Sequence, residues 1–437
     1  MDIKTVTINL KNLMNKWFYT REQIHELLED YVTVNNQGIL SVGIPSPEKI
    51  TLTTTNNAIT TADVAEVTAK VTDNSNTPSY GVPVEFVNRA TREVLHHDTT
   101  NSDGECVFEY FTEEAEILPL QARISNDYIF KDDGRLNSHN SWDRVADATL
   151  VRYDTYSCLQ PSGSASPILY SLLLSGYTDI TFKIKFYTLA RMGLISCSST
   201  GTDQANFKYF DASQLGLSAD TWYTIQFSCL DDRIIIYCKE TGNVKVEWID
   251  SLPSYYKFYL TTSNSASIDF CDVKINRASD DLSMFIKDTG NLLTFNQWTC
   301  GDYNQNMTGF SSVAPEENIE LNKNYTINGD TSIKLTGNNN NTVMIYAVYN
   351  ISSEDIGKTL TLKAHCFKEG GNPSLQLLFY NQNSFLKGTE TQVSSNTFEE
   401  YTLTYTIPSN TTLVHIRLRS VNTDTTYYVD NLHLIIQ

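Results

Sequence analysis

From about residue 48 onward the chain alternates apolar and polar positions with a period of two, the pattern of half-buried strands. Glu66-Val67-Thr68-Ala69-Lys70-Val71-Thr72-Asp73 and Val82-Pro83-Val84-Glu85-Phe86 alternate in this way. Thr99 to Gly104 makes a polar turn, after which Cys106 and Phe108 resume the pattern. Ile180, Phe182, Ile184 and Phe186 alternate with Thr181, Lys183 and Lys185. Short strands separated by turn residues predict a mainly β chain built of sandwiches. One stretch departs from that period. Thr20 and Gln23 are spaced as a capping box, and Ile24, Leu27, Leu28 and Tyr31 then fall at i, i+3, i+4 and i+7, one apolar face of a helix. So short a helix needs a partner, which makes these four residues the candidate contacts of an anchoring or oligomerisation segment. Gly38, Gly43, Pro45 and Pro47 mark the linker that follows.

The polar junctions divide the 437 residues into an N-terminal segment 1–46 and domains at 47–126, 127–278 and 279–437. Only 19% of residues are charged and the formal net charge is −19, which argues against binding nucleic acid. Met1 to Leu13 lacks the apolar run of a secretory signal. No stretch approaches the roughly 18 apolar residues of a spanning helix, so no membrane insertion is expected. The eight cysteines form no C-x-x-C pair, and most lie in apolar runs such as Ile234-Ile235-Ile236-Tyr237-Cys238. They read as reduced, buried thiols.

Four segments resemble known families. Trp17 to Leu28, containing Tyr19-Thr20 and Leu27-Leu28, resembles a segment near the N-terminus of phage tail-fibre proteins, but has His25 where that family has Asp. The series V-T-A-K-V-T-D, G-V-P-V-E-F and T-N-S-D-G-E-C-V-F is similar to bacterial Ig-like domains of invasins and intimins. T-W-Y-T-I-Q-F, R-I-I-I-Y and F-C-D-V-K-I resemble concanavalin or laminin-G jelly rolls. Ile327 to Leu335 and the terminal Tyr428-Val429-Asp430-Asn431-Leu432-His433-Leu434 resemble carbohydrate-binding modules of the CBM4/9 type. Together they imply a short helical anchor, an Ig-like spacer and two jelly rolls. The implied protein is a homotrimeric viral tail fibre or receptor-binding protein. It would join virion tail or baseplate proteins to a host cell-surface glycan, and would be assembled in the host cytoplasm. A prokaryotic surface adhesin and a polysaccharide depolymerase are the alternatives.

No catalytic constellation is found. The E-x-D-x-x-E strand of concanavalin-like glycosidases, with its paired carboxylates, is missing from 127–277, where Glu247-Trp248-Ile249-Asp250 is the nearest approach. G-x-S-x-G, H-E-x-x-H and P-loop patterns are also missing. The chain is therefore read as a binding protein, not an enzyme, and no cofactor is expected. In the last domain alternation turns Lys363, His365 and Phe367, then Gln376 and Tyr380, then His415, Arg417 and Arg419 away from the core. A guanidinium fork beside aromatic rings suits sugar hydroxyls or a carboxylate. His365, Gln376, Tyr380, His415, Arg417 and Arg419 are accordingly the candidate carbohydrate-binding residues. Trp298 and Tyr303 are alternative stacking rings. The CBM resemblance also implies a structural calcium held in part by Asp430. Asn296-Gln297 stands where an acid is wanted, so no metal is assigned.

Overall fold

The computed structural model describes residues 32–34, 40–42 and 47–437, except 133–141, 143, 147, 162–167, 172, 189, 263–265, 313–317, 328, 338–342 and 421–424. Ile24, Leu27, Leu28 and Tyr31 lie outside the described residues. The fold is mainly β, with several sandwich sheets. Two compact units are formed: Met1–Thr54, Val67–Phe108 and Leu120–Leu282 make the first, and Thr55–Glu66, Glu109–Pro119 and Ser283–Gln437 the second.

In the first unit, strands Lys49–Thr54, Ala65–Thr72 and Glu105–Tyr110 form a small sheet. Pro83–Asn88 pairs with Val94–Thr99 and with the long strand Glu116–Asp132. That long strand also pairs with Ile268–Ala278. It thus runs unbroken through position 126, where the sequence pattern suggested a boundary, and makes one ladder of the Ig-like lobe and the jelly roll behind it. The jelly roll packs Val244–Trp248, Arg233–Cys238, Tyr223–Cys229, Thr178–Phe186 and Ile268–Ala278 against a five-stranded sheet containing Tyr256–Thr262, Ala190–Cys197 and Asp203–Asp211. Period-two patterning decides what is inside: Ile180, Phe182, Ile184 and Phe186 are buried, while Lys183 on the other face is exposed.

The second unit is a sandwich of two five-stranded antiparallel sheets. One runs Ser311–Ser312, Val343–Asn350, Leu413–Ser420, Ser374–Asn381, Ser384–Gln392. The other runs Ile319–Asn322, Ser332–Gly337, Thr425–Ile436, Thr359–Lys368, Glu399–Thr406. Leu360, Leu362, Leu375, Leu377, Phe379, Val414, Ile416 and Leu418 meet in the core between them. All eight cysteines are free thiols, seven of them buried and Cys271 half-buried. Burial pushes Cys229 up to about 12, so it is a small apolar side chain and not a nucleophile. Among the described residues no helix is long and apolar enough to cross a membrane.

Candidate functional site

The site is the outer face of the sheet carrying Leu413–Ser420. That strand is central, with Val343–Asn350 on one side and Ser374–Asn381 on the other. Its odd positions point outward because Val414, Ile416 and Leu418 are buried in the core. Cross-strand register then fixes the neighbours of each outward side chain. Arg417 lies opposite Tyr346 and Gln376, His415 opposite Val348 and Leu378, and Arg419 opposite Met344 and Ser374.

The ring of His415 stacks on Tyr346, with centroids 4.7 Å apart and planes 18° apart. On its other side Tyr380 lies 4.5 Å away at 35°. The Arg417 guanidinium carbon sits 5.7 Å from the Tyr380 ring centre and 6.0 Å from that of Tyr346, within cation–π range. Its Nη2 donates to the Tyr380 hydroxyl at 2.5 Å and lies 3.4 Å from His415 Nδ1. Its Nε has no hydrogen-bond partner among the described residues. An orphaned buried donor costs about 1–3 kcal/mol, which leaves Nε open to an acceptor from outside the chain. Tyr380 also meets Phe385 edge-on at 5.7 Å, and Phe385 and Val348 are exposed. Gly388 faces Leu378 across the sheet, and a Cβ there would come within 2.3 Å of Leu378 Cδ2. A side chain at position 388 would have to displace Leu378 and would crowd the Leu377 carbonyl oxygen, 2.9 Å from the same Cβ.

Tyr380, His415, Arg417 and Arg419 therefore share one face, as the alternation predicted. Gln376 shares it by register but is 5% exposed, and its Nε2 donates to Glu390 at 2.6 Å. It braces Glu390 and does not reach outward. His365 corrects the sequence reading. It lies on Thr359–Lys368, a strand of the opposite sheet, beside Glu400 and Asp430, and Lys363 pairs with Glu400 at 3.1 Å. The outer faces of a sandwich point apart, so neither can touch a ligand on the Arg417 face. Alternation gives each strand's inward side but not the sheet it joins. Trp298 is a second correction, being 1% exposed with its Nε1 donating to Asn431 at 2.9 Å. Tyr303 is half-buried against Phe285 and Phe295. Tyr346 was missed by the sequence reading. The run Val343-Met-Ile-Tyr-Ala-Val is apolar throughout and shows no alternation from which an outward face could be read. Asn296 and Gln297 hold the loop after the short helix Phe295–Trp298, through bonds to the carbonyls of Asn306, Thr308 and Gly309.

Burial, reinforced by Arg417, pushes the His415 pKa down, so the imidazole is neutral at neutral pH and stacks without charge. The folded form therefore takes up its proton at lower pH than the unfolded chain, whose histidines titrate near about 6.5. Stability is full above that value and falls as pH drops through it towards the folded pKa. Burial likewise lowers His365 and His433, which adds to the slope. Urea midpoints between pH 7.5 and 5 should fall, and His415→Gln should make the fall shallower. An unchanged slope would show that His415 is not linked to folding.

No known family model and no curated protein matches the chain. Solved structures similar to parts of it include carbohydrate-binding modules, a phage tailspike domain and an arabinofuranosidase. A family 16 carbohydrate-binding module shares 14% identity over 32% of this chain and 98% of that one, with a TM-score of 0.26. The N-terminal CBM22 tandem of Paenibacillus barcinonensis Xyn10C shares 12% over 71% of this chain and 98% of that one, at 0.27. The enzymatically active domain of bacteriophage CBA120 tailspike protein 4 shares 12% over 35% of this chain, at 0.29, and the match spans only 22% of that domain. The identities and TM-scores are low throughout.

Proposed function

We propose that the chain is a non-enzymatic glycan-binding protein of a viral tail fibre, which attaches the virion to host cell-surface sugars through the Arg417 face. The observation that carries this reading is the Tyr346–His415–Tyr380 stack braced by Arg417. Aromatic faces take the C–H side of a pyranose, and a fixed guanidinium fork takes hydroxyls or a carboxylate. The acid on this face, Glu390, is bonded to Gln376, an arrangement suited to orienting a ligand and not to the paired-carboxylate chemistry of glycoside cleavage. The virion role is supported by the resemblance of Trp17 to Leu28 to tail-fibre segments. Three copies would raise a weak affinity through avidity.

The test is binding of the full chain to a glycan array and to host cells. Tyr346→Ala should weaken binding by about tenfold or more, the equivalent of ~1.4 kcal/mol. His365→Ala, on the other sheet, should leave it unchanged. Full binding by Tyr346→Ala would remove the face from consideration. Mass spectrometry of purified virions tests the location, and sedimentation equilibrium tests the trimer.

A further inference from the structure

The jelly roll of the first unit carries a second group of exposed rings, on the outer face of its larger sheet. Lys183 and Lys185 face away from the core there, because Ile184 and Phe186 fill it. Register places Lys185 beside Asp269, and Asp269 beside Cys158. The pairing of Ile184 with Tyr223 brings Trp222 to the same edge of the row. The turn between Ala148–Arg152 and Ser157–Pro161 adds Tyr153 and Tyr156.

These residues form one cluster. Tyr153 and Tyr156 stack with centroids 4.8 Å apart, and Trp222 meets Tyr156 at 6.0 Å with planes 69° apart. Tyr187 donates its hydroxyl to Asp269 at 2.6 Å, and Lys185 sits 4.7 Å above the Tyr187 ring. Lys185 also lies 3.4 Å from Asp220 and 3.6 Å from Asp269. Trp222, Tyr153 and Tyr187 are 37%, 39% and 43% exposed, although rings of this size are ordinarily among the more buried residues. Asp269 is 2% exposed and accepts from the Tyr187 hydroxyl, while Lys185 is paired with Asp220 and Asp269, so the polar groups are fixed before any ligand arrives.

The geometry points to a second, separate sugar-binding site here, one that takes a neutral hexopyranose chain on the Tyr153–Tyr156–Trp222 rings. Two rings at 69° offer a wall and a floor to a pyranose, whose C–H face lies on one ring while its hydroxyls reach the lysine and carboxylate. Lys185, Asp220, Asp269 and the Tyr187 hydroxyl already pair with one another, so sugar hydroxyls can add to this network while the rings take the C–H face. The chemistry differs from that of the Arg417 face. Here Lys185 is flanked by two carboxylates, Asp220 and Asp269, which repel an acidic sugar and favour a neutral one.

The test uses the full chain and soluble hexamers of β-1,4-linked glucose, mannose and galactose, followed by titration calorimetry and tryptophan emission. It is run in wild type and in Tyr346→Ala, so that loss of the Arg417 face is separable from loss of this one. At least one hexamer should bind Tyr346→Ala and perturb the emission. Trp222→Ala in that background should weaken binding by about tenfold or more, and Asp220→Ala should weaken it to a lesser degree with the fold intact. No response to any of the three hexamers, or a response unchanged by both Trp222→Ala and Asp220→Ala, would overturn the proposal. So would a change in oligomeric state on Trp222→Ala without any sugar effect, which would make the rings a contact between copies of the chain.

Discussion

Asp179→Ala is expected to destabilise the first unit by about 3–5 kcal/mol, the usual cost of leaving buried charges without their partner. The Asp179 side chain is 2% exposed and is held by two arginines, Arg92 at 2.6 Å and Arg123 at 2.8 Å. Arg92 sits in the turn between Pro83–Asn88 and Val94–Thr99, with φ 63° and its N–H donating to the Asn88 carbonyl. From there it reaches the outer face of the jelly-roll sheet, where it also donates to Gln226 at 2.6 Å and Ser228 at 2.7 Å. Arg123 donates to Glu85 at 2.7 Å. The carboxylate is thus the hub between a hairpin turn of the Ig-like lobe and two strands of the jelly roll. Deleting it strips the buried Arg92 guanidinium of its carboxylate and leaves Arg123 with Glu85 alone. Asp179→Asn keeps the shape but not the charge, and should fall between wild type and alanine.

The same hub predicts a pH response. Burial alone would raise the Asp179 pKa, but Arg92 and Arg123 overcome it and hold the carboxyl at about 2, below its usual 3.8. A depressed carboxylate contributes stability that is complete above the unfolded value and is lost as pH falls towards the folded one. The window is therefore pH 4 to 2, and urea midpoints of wild type and Asp179→Asn should converge across it. A loss below about 1 kcal/mol in Asp179→Ala at pH 7 would place the network in the class of weakly contributing surface pairs.

What the sequence made legible follows from what period two can encode. It assigned Ile180, Phe182 and Ile184 to a core, and it turned His415, Arg417 and Arg419 out of one, because both statements concern a single strand and its own alternation. It grouped His365 with them because sheet membership is set by long-range pairing, which alternation does not carry. Arg92 gave no signal at all: an arginine in a polar turn reads as a solvated residue, and only the fold brings Asp179 beneath it. Nor does the pattern show that Gln376, outward by register, is drawn back onto Glu390. Tyr346 gave no such signal, because residues 343–348 are apolar throughout and period two has nothing to mark there.

Trp298→Ala separates a core ring from a ligand-stacking ring, a distinction that the residue type alone leaves open. A tryptophan near the start of the last sandwich invites the second assignment. The structure favours the first. Thr294 caps the short helix through Gln297, and this fixes the entry of the ring into the sandwich. Trp298 is 1% exposed, lies 6.1 Å from Phe295 and 6.4 Å from His433, and donates to Asn431. Asn431 itself has φ 53° and sits in the terminal strand Thr425–Ile436, so the indole pins an irregular backbone position as well as filling volume. Truncation removes a large buried ring, typically about 3–5 kcal/mol, and leaves His433 Nε2, 3.1 Å away, as the remaining partner of Asn431 Oδ1. Urea unfolding of the second unit should show that loss. Sugar affinity, measured well below the shifted midpoint, should stay within about twofold of wild type. Stability preserved while affinity collapses would instead make Trp298 a ligand contact and move the site to the opposite sheet, where His365 lies.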